Sequence, residues 1–202
     1  VDAELATLLT ASAAVVVNLE TPLTSMRESR LDAIKPHIHW SEPDAAVRAL
    51  RRVDVRAVSL ANNHTMDFGP EGLAETTRHL AAAGIAAFGA GDAVLSRAPW
   101  RVELPHSPRA VWVFGAYWYR PRYDAEFRFY ATTHHDGVRR LDVADLAGQI
   151  AAAPASAMVV VFPHWGTNYR WRSLEQADIA HQLIDAGADL VIGHGAHCAQ
   201  EI

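Results

Sequence analysis

Four short clusters in the 202-residue sequence combine Glu, Asn, Asp and His in ways that suit a metal centre. They are Asn18-Leu19-Glu20; Asn62-Asn63-His64 with Asp67 three residues on; Pro163-His164-Trp165-Gly166; and Gly193-His194-Gly195-Ala196-His197. Imidazole nitrogen together with carboxylate or amide oxygen is a donor set used by Zn, Mn and Fe. Glycines beside such residues let the backbone turn sharply and approach a ligand closely. Each cluster alone has an ordinary structural explanation, such as the ease with which Asn enters left-handed turns. Their shared position sets them apart. Val15-Val16-Val17, Val58-Ser59-Leu60-Ala61, Val159-Val160-Val161-Phe162 and Leu190-Val191-Ile192 run directly into them. All four therefore fall at the carboxyl end of an expected strand, where open α/β sheets hold their ligands. That coincidence points to one shared metal site.

The elements that must position these residues alternate along the chain. Leu5, Leu8 and Leu9 give residues 2–12 a helical apolar face, and residues 14–17 read as a buried strand. Residues 21–40 are a loop. Ser41, with Asp44 three positions on and Pro43 between, predicts a capped helix start ahead of Val47, Leu50 and Arg51-Arg52. A strand over 55–60 follows. Gly69-Pro70 opens a helix with Leu73, Thr77, Leu80 and Ala81 on one face, and Gly84 ends it. A strand over 85–88 is closed by Gly89-Ala90-Gly91. Residues 100–104 and 111–116 flank Pro105-His106-Ser107-Pro108 as a hairpin. Residues 119–140 lack a period and read as a surface excursion; its arginines, with Tyr119, Tyr123 and Tyr130, suit either solvent or an anionic substrate. Asp142 caps a helix bearing Val143, Leu146, Ala147 and Ile150, with Pro154 beyond its end. A strand over 158–162 comes next. Ser173 and Gln176 form a capping box for a helix that shows Ala177, Ala180, Leu183 and Ile184, stopped by Gly187 before a last strand over 190–192.

This alternation predicts an α/β fold, a mixed and mostly parallel sheet of right-handed β-α-β units with helices on both faces. Neither a repeat nor a linker divides residues 1–202, so they read as a single domain.

Composition narrows the function classes. The net charge of −5 and the lack of a basic cluster argue against nucleic acid. One cysteine excludes an internal disulfide and a multi-cysteine zinc site. No apolar run reaches the roughly 20 residues of a membrane helix. Of the 18 basic residues only Lys35 is lysine. Outside the clusters, His79 and His181 fall on helix faces, and His37, His39, His106, His134 and His135 in loops; of these His39, beside Trp40, is the one placed to line a cleft. Cys198 is expected to be a small buried residue at a helix start. Val1-Asp2 opens the chain without Met or a leader, and Gln200-Glu201-Ile202 follows closely on the last His cluster, as expected of a domain truncated at both ends.

The clusters resemble the bacterial poly-gamma-glutamate capsule biosynthesis family (CapA/PgsA type), whose members have a calcineurin-like metallophosphatase fold. The family's Asn-Leu-Glu motif is similar to Asn18-Leu19-Glu20, and its Asn-Asn-His-x-x-Asp-x-Gly motif is met in full from Asn62 to Gly69. His164-Trp165-Gly166-Thr167-Asn168-Tyr169 resembles the third motif with Asn168 where Glu is usual; Gly193 to His197 with Gln200 resembles the fourth without its proline. The resemblance spans essentially the whole chain. It implies a four-layer α/β/β/α architecture in the complete domain and two divalent metal ions (Mn, Fe or Zn). Glu20 would bridge them, Asn63, His164 and His194 would hold one, and His197 the other. His64 would serve as acid or orient the leaving group, with Asp67 in the same catalytic motif. The pattern also implies an Asp on an earlier strand, ahead of Val1. A second metal held from this chain alone would need a further residue such as His39.

Two such ions, roughly 3.5–4 Å apart, activate a water and clamp the oxygens of an in-line displacement. The resemblance thus implies a metal-dependent, phosphoesterase-like hydrolase of capsule-polymer or envelope synthesis, acting on an anionic small molecule or polymer. An amide hydrolase on gamma-glutamyl polymer, and a non-catalytic accessory or polymer-binding subunit working with capsule synthase subunits, are the alternatives. An envelope-associated or extracytoplasmic location follows from the resemblance alone.

Overall fold

In the computed structural model, residues 2–105 and 107–200 are described. The chain runs α1 (Ala3–Thr10), β1 (Val15–Asn18), α2 (Pro43–Arg51), β2 (Val55–Ser59), α3 (Gly69–Ala82), β3 (Ala86–Phe88), β4 (Ala90–Gly91), β5 (Trp100–Glu103), β6 (Ala110–Tyr117), α4 (Pro121–Phe127), β7 (Gly137–Val138), α5 (Val143–Ala151), β8 (Met158–His164), α6 (Leu174–Asp185) and β9 (Leu190–Val191). The expected alternation is there. His106, in the predicted hairpin turn, and Val1, Glu201 and Ile202 lie outside the described residues.

The strands form two main sheets, as the four-layer architecture implied by the family resemblance requires, where the alternation of elements alone reads as one sheet covered on both faces. β1, β2 and β3 are parallel neighbours in the first. The second has the order β5-β6-β8-β9, with β5 antiparallel on β6 and the rest parallel. Side-chain alternation shows why. On β6 and β8, Phe114, Val159 and Val161 pack with Leu146 and Ile150 of α5 and Ile179 and Leu183 of α6. Val113 and Val160 point the other way and meet Ala57 and Phe88 of the first sheet. The far face of the first sheet packs on Val47 and Leu50 of α2 and Leu73 and Leu80 of α3. Strands that are apolar on both faces are thus buried between a helix layer and another sheet. The order helix, sheet, sheet, helix is compatible with a metallophosphatase-like fold.

At the seam between the sheets Gly115 of β6 has no side chain to spare room for: a Cβ there would lie 3.0 Å from the Phe88 ring and 3.1 Å from Ser59 Oγ.

Local chemistry accounts for the helix ends, with one correction. Glu42, not Ser41, caps α2: its carboxylate accepts from the N–H groups of Asp44 (3.1 Å) and Ala45 (2.6 Å). Pro43 forces the residue before it into extended backbone, which makes that residue the cap. Ser41 is committed instead to a bridge with Leu23. Asp142 caps α5, and Ser173 with Gln176 forms the expected capping box of α6. That helix buries Gln176, Ile179 and Leu183, while Ile184, expected on the inner face, is exposed. α1 forms with no buried residue, and Leu5 and Leu8 are exposed.

Residues 119–140 are not a solvated excursion. Phe129, Tyr130, Val138 and Arg139 are buried, and β7 pairs with β4. The Tyr130 hydroxyl accepts from Arg120 N–H and donates to Trp118 O, both at 2.8 Å. Cys198 is exposed in a loop, its thiol 3.3 Å from Arg170 O, and not a buried helix-start residue.

Candidate functional site

The parallel strands β1, β2, β8 and β9 deliver the clusters to one place, where residues of both sheets touch. Asn62, at the end of β2 and fully buried, donates from Nδ2 to Asn18 Oδ1 (3.0 Å) and to Leu19 O (2.9 Å). Its Oδ1 accepts from His64 N–H (3.0 Å), which fixes the turn. Asn18 Nδ2 lies 3.5 Å from Glu20 Oε2 and 3.5 Å from His164 Nδ1 on the other sheet. His164 Nδ1 is also 3.0 Å from His194 Nδ1, and His164 Nε2 is 3.7 Å from Glu20 Oε1.

Asn18 Nδ2 and His194 Nδ1 both approach the one Nδ1 of His164, and of the two imidazoles one donates and the other accepts. His194 Nε2 is buried and has no hydrogen-bond partner among the described residues; the same holds for Asn63 Oδ1. Buried polar atoms are normally satisfied; besides Arg139 Nε outside the motifs, the open atoms fall one in each of two motif clusters, which is an observation in favour of a cation. Burial pushes His194 down to about 4 and, with the neighbouring His194, holds His164 well below the usual imidazole range. Both imidazoles are therefore neutral, as metal ligands must be. Burial raises the Glu20 carboxyl, and the charges of His197, His39 and Lys35 offset part of that rise.

His197 stands farther out. It is exposed, in left-handed backbone (φ 55°), with its ring 5.7 Å from Tyr169, and it acts on Glu20 and His164 through its charge. Among the described residues no group of three or more His, Cys, Asp or Glu side chains is arranged to hold a metal as it stands. The donor types present, an amide oxygen, imidazole nitrogens and a carboxylate, are those a divalent metal takes, with Asn63 Oδ1 and His194 Nε2 the ones left open.

A second cluster adjoins the first. Asp67 is fully buried; Oδ2 accepts from His64 Nδ1 and from the His39 backbone N–H, both at 2.7 Å. Its Oδ1 is ion-paired with Lys35. The Lys35 ammonium also donates to Asn63 O at 2.8 Å and lies 3.3 Å from His64 Nδ1. Burial lowers both Lys35 and His64, opposed in each case by Asp67. His39 stacks on His64, centroids 3.5 Å apart and planes 4° apart, and its Nδ1–H donates to Glu20 O at 3.2 Å.

The structure thus brings Glu20, Asn63, His64, Asp67, His164 and His194 together and leaves His197 at the rim. Sequence reasoning did not single out Lys35, and it left Asn18 and Asn62 as motif residues without a task. The solitary lysine among arginines was the available signal for Lys35.

Residues 2–202 match the family model described as bacterial capsule synthesis protein PGA_cap. A probable polyglutamine synthesis accessory protein of Mycobacterium tuberculosis is 34% identical over 198 residues, covering 93% of this chain and 50% of that protein. The PGA biosynthesis protein CapA of Bacillus subtilis is 28% identical, with 95% and 49% covered. The capsule biosynthesis protein CapA of Bacillus anthracis is 26% identical, with 91% and 44% covered. The chain spans about half the length of these relatives. Among the described residues no helix is long and apolar enough to cross a membrane. With its four strand-end clusters gathered at one edge of two sheets, the chain belongs to the bacterial capsule synthesis protein family.

Proposed function

We propose that the chain is a metal-dependent hydrolase, phosphoesterase-like, that acts on an anionic polymer or its precursor in capsule or poly-gamma-glutamate synthesis. The observation that carries the metal is that two motif atoms are buried without a partner, Asn63 Oδ1 and His194 Nε2, the latter on the imidazole paired with His164, which faces Glu20. Glu20, Asn63, His164 and His194 would hold a divalent ion (Mn, Fe or Zn), and His197 with a share of Glu20 a second, weaker one. A metal held there supplies an activated water and polarises the oxygen of the scissile group.

The chain's own residues do the rest. Asp67 holds His64 by Nδ1, so Nε2 is the atom left to orient or exchange a proton with a leaving group. His39 lies flat on His64 and fixes the plane of that ring. Asn18 and Asn62 hold the Glu20 and His164 segments together, which keeps the reacting geometry from spreading.

A second reading is a non-catalytic accessory subunit that binds polymer alongside capsule synthase subunits. The mycobacterial relative's name favours it, as does the incomplete ligand set. Assays of the chain after loading with Mn²⁺ separate the readings. Turnover of simple phosphoesters supports the first. Cleavage of poly-gamma-glutamate assigns the hydrolase to amide chemistry. Metal or polymer binding with neither activity establishes the accessory role.

A further inference from the structure

Lys35 lies outside every motif of the sequence, in the long loop between β1 and α2, yet it reaches the centre of the site. The chain uses arginine at 17 of its 18 basic positions. Its one lysine is also a buried cation, only 4% exposed. Three groups meet its Nζ: the Asp67 carboxylate in an ion pair, Asn63 O at 2.8 Å and His64 Nδ1 at 3.3 Å. Through Asp67 it also touches the pair of hydrogen bonds to His64 and to His39 N–H. Ser29 Oγ, from the same loop, donates to Asp67 O.

The chemistry of the head group explains why lysine stands here. An ammonium is a compact point charge with three donors in tetrahedral array. It can serve a carboxylate oxygen and a nearby carbonyl from one atom. A guanidinium spreads five donors over a planar fork, and in this buried place several would be left unsatisfied. A buried ion pair by itself adds little stability over an apolar replacement, so stability alone is a poor reason to keep it. What the pair does achieve is geometric. One atom ties the backbone of Asn63, whose Oδ1 is unpartnered, to the carboxylate that occupies His64 Nδ1.

We propose that Lys35 is a positioning residue of the site, which locks the Asn63 carbonyl and the Asp67 carboxylate to one point and so sets where Asn63 Oδ1 and His64 Nε2 stand. This rests on the reading of Asn63 as a metal ligand. Residues that orient ligands from behind typically change metal affinity about 10–100-fold when replaced.

The single lysine makes the test clean. The chain grown with ¹³C,¹⁵N-lysine has one Cε/Nζ signal, that of Lys35. A hydrogen-bonded ammonium should exchange its protons slowly, and Mn²⁺ should broaden its signal during titration. Lys35→Met and Lys35→Arg should both fold and bind Mn²⁺ about 10–100-fold more weakly, with the charge-keeping arginine giving no rescue. In both variants diethyl pyrocarbonate should acylate His64 several-fold faster, with His134 and His181 unchanged as internal controls. A folded variant with wild-type Mn²⁺ affinity and wild-type His64 reactivity overturns the proposal. If neither variant folds, the wild-type signal decides: slow exchange with broadening by Mn²⁺ supports the role, and fast exchange overturns it. A wild-type chain that binds no Mn²⁺ removes the metal reading alone; the acylation rate of His64 then judges Lys35 by itself, equal rates overturning it.

Discussion

His164 and His194 meet Nδ1 to Nδ1 at 3.0 Å, one imidazole acting as acceptor and the other as donor. The contact leaves His194 Nε2 buried and without a partner among the described residues. Replacing His194 with Ala should lower the Mn²⁺ retained after desalting by about an order of magnitude or more. Circular dichroism should be unchanged, since His194 joins the end of β8 through its backbone, which alanine keeps. Elemental analysis is the check, and wild-type retention would count against His194 as a ligand.

His64 is held by Asp67 and covered by His39. If its remaining nitrogen handles a proton or orients a leaving group, His64→Asn should reduce turnover roughly 10²–10⁴-fold. Metal content should barely move, because the donors assigned to the metal lie elsewhere. Loss of metal with the fold intact would make His64 a ligand instead.

Gly195 sits in left-handed backbone (φ 104°), and a Cβ on it would come within 2.8 Å of His164 Nε2. The neighbouring ring atoms Cδ2 and Cε1 would be 2.9 Å away. Gly195→Ala therefore has to displace the imidazole as well as strain the chain, at a cost of about 1–3 kcal/mol. The thermal midpoint should fall modestly and Mn²⁺ affinity sharply. An alanine variant that binds Mn²⁺ as the wild type does would show that the His164 ring has room to spare.

Asp189 joins the starts of β6 and β8. It accepts from Val159 N–H at 2.7 Å and from Arg109 Nη2 at 2.9 and 3.1 Å. The backbone hydrogen bond, followed by Arg109, holds its carboxyl below the usual value. A depressed folded-state value means stability that is present above the unfolded value, near pH ~4, and lost as pH falls through the folded value. Asp189→Ala should be less stable by about 1 kcal/mol at pH 7, a figure kept small because the side chain is partly exposed. Denaturation at a series of pH values should show the gap narrowing below about pH 4. A gap independent of pH would assign the effect to packing.

How far the sequence is legible depends on the range of the interaction. Asn62-Asn63-His64 and Gly193-His194 can be read because each follows a run of β-branched residues, and strand ends are local features. The Ser173–Gln176 capping box can be read for the same reason. The cap of α2 shows both ranges at once: Pro43 extends Glu42 into the cap position locally, while Ser41 is drawn into a bridge with Leu23, a distant partner in sequence. One sheet or two could not be told from periodicity, since Val113 and Phe114 are apolar on opposite faces and either a helix layer or a second sheet would satisfy them. Residues 119–140 have no period because Phe129, Tyr130 and Val138 are buried by irregular backbone. Lys35 carries no spacing signal; its task exists only once a loop has folded over Asp67.

Gly115 has a consequence for the chemistry although it touches none of it. The site is shared between two separate sheets, and their separation is gauged at the seam by Phe88, Ser59 and this residue's lack of a side chain. A single methyl group added there would press on the Phe88 ring and Ser59 Oγ, which would have to give way across the seam. The first distance to lengthen would be the one from Asn18 to His164, which stands at 3.5 Å, the outer limit of a hydrogen bond. The spacing between the two halves of the site can therefore be tuned from the interior, by changes that leave every motif residue in place.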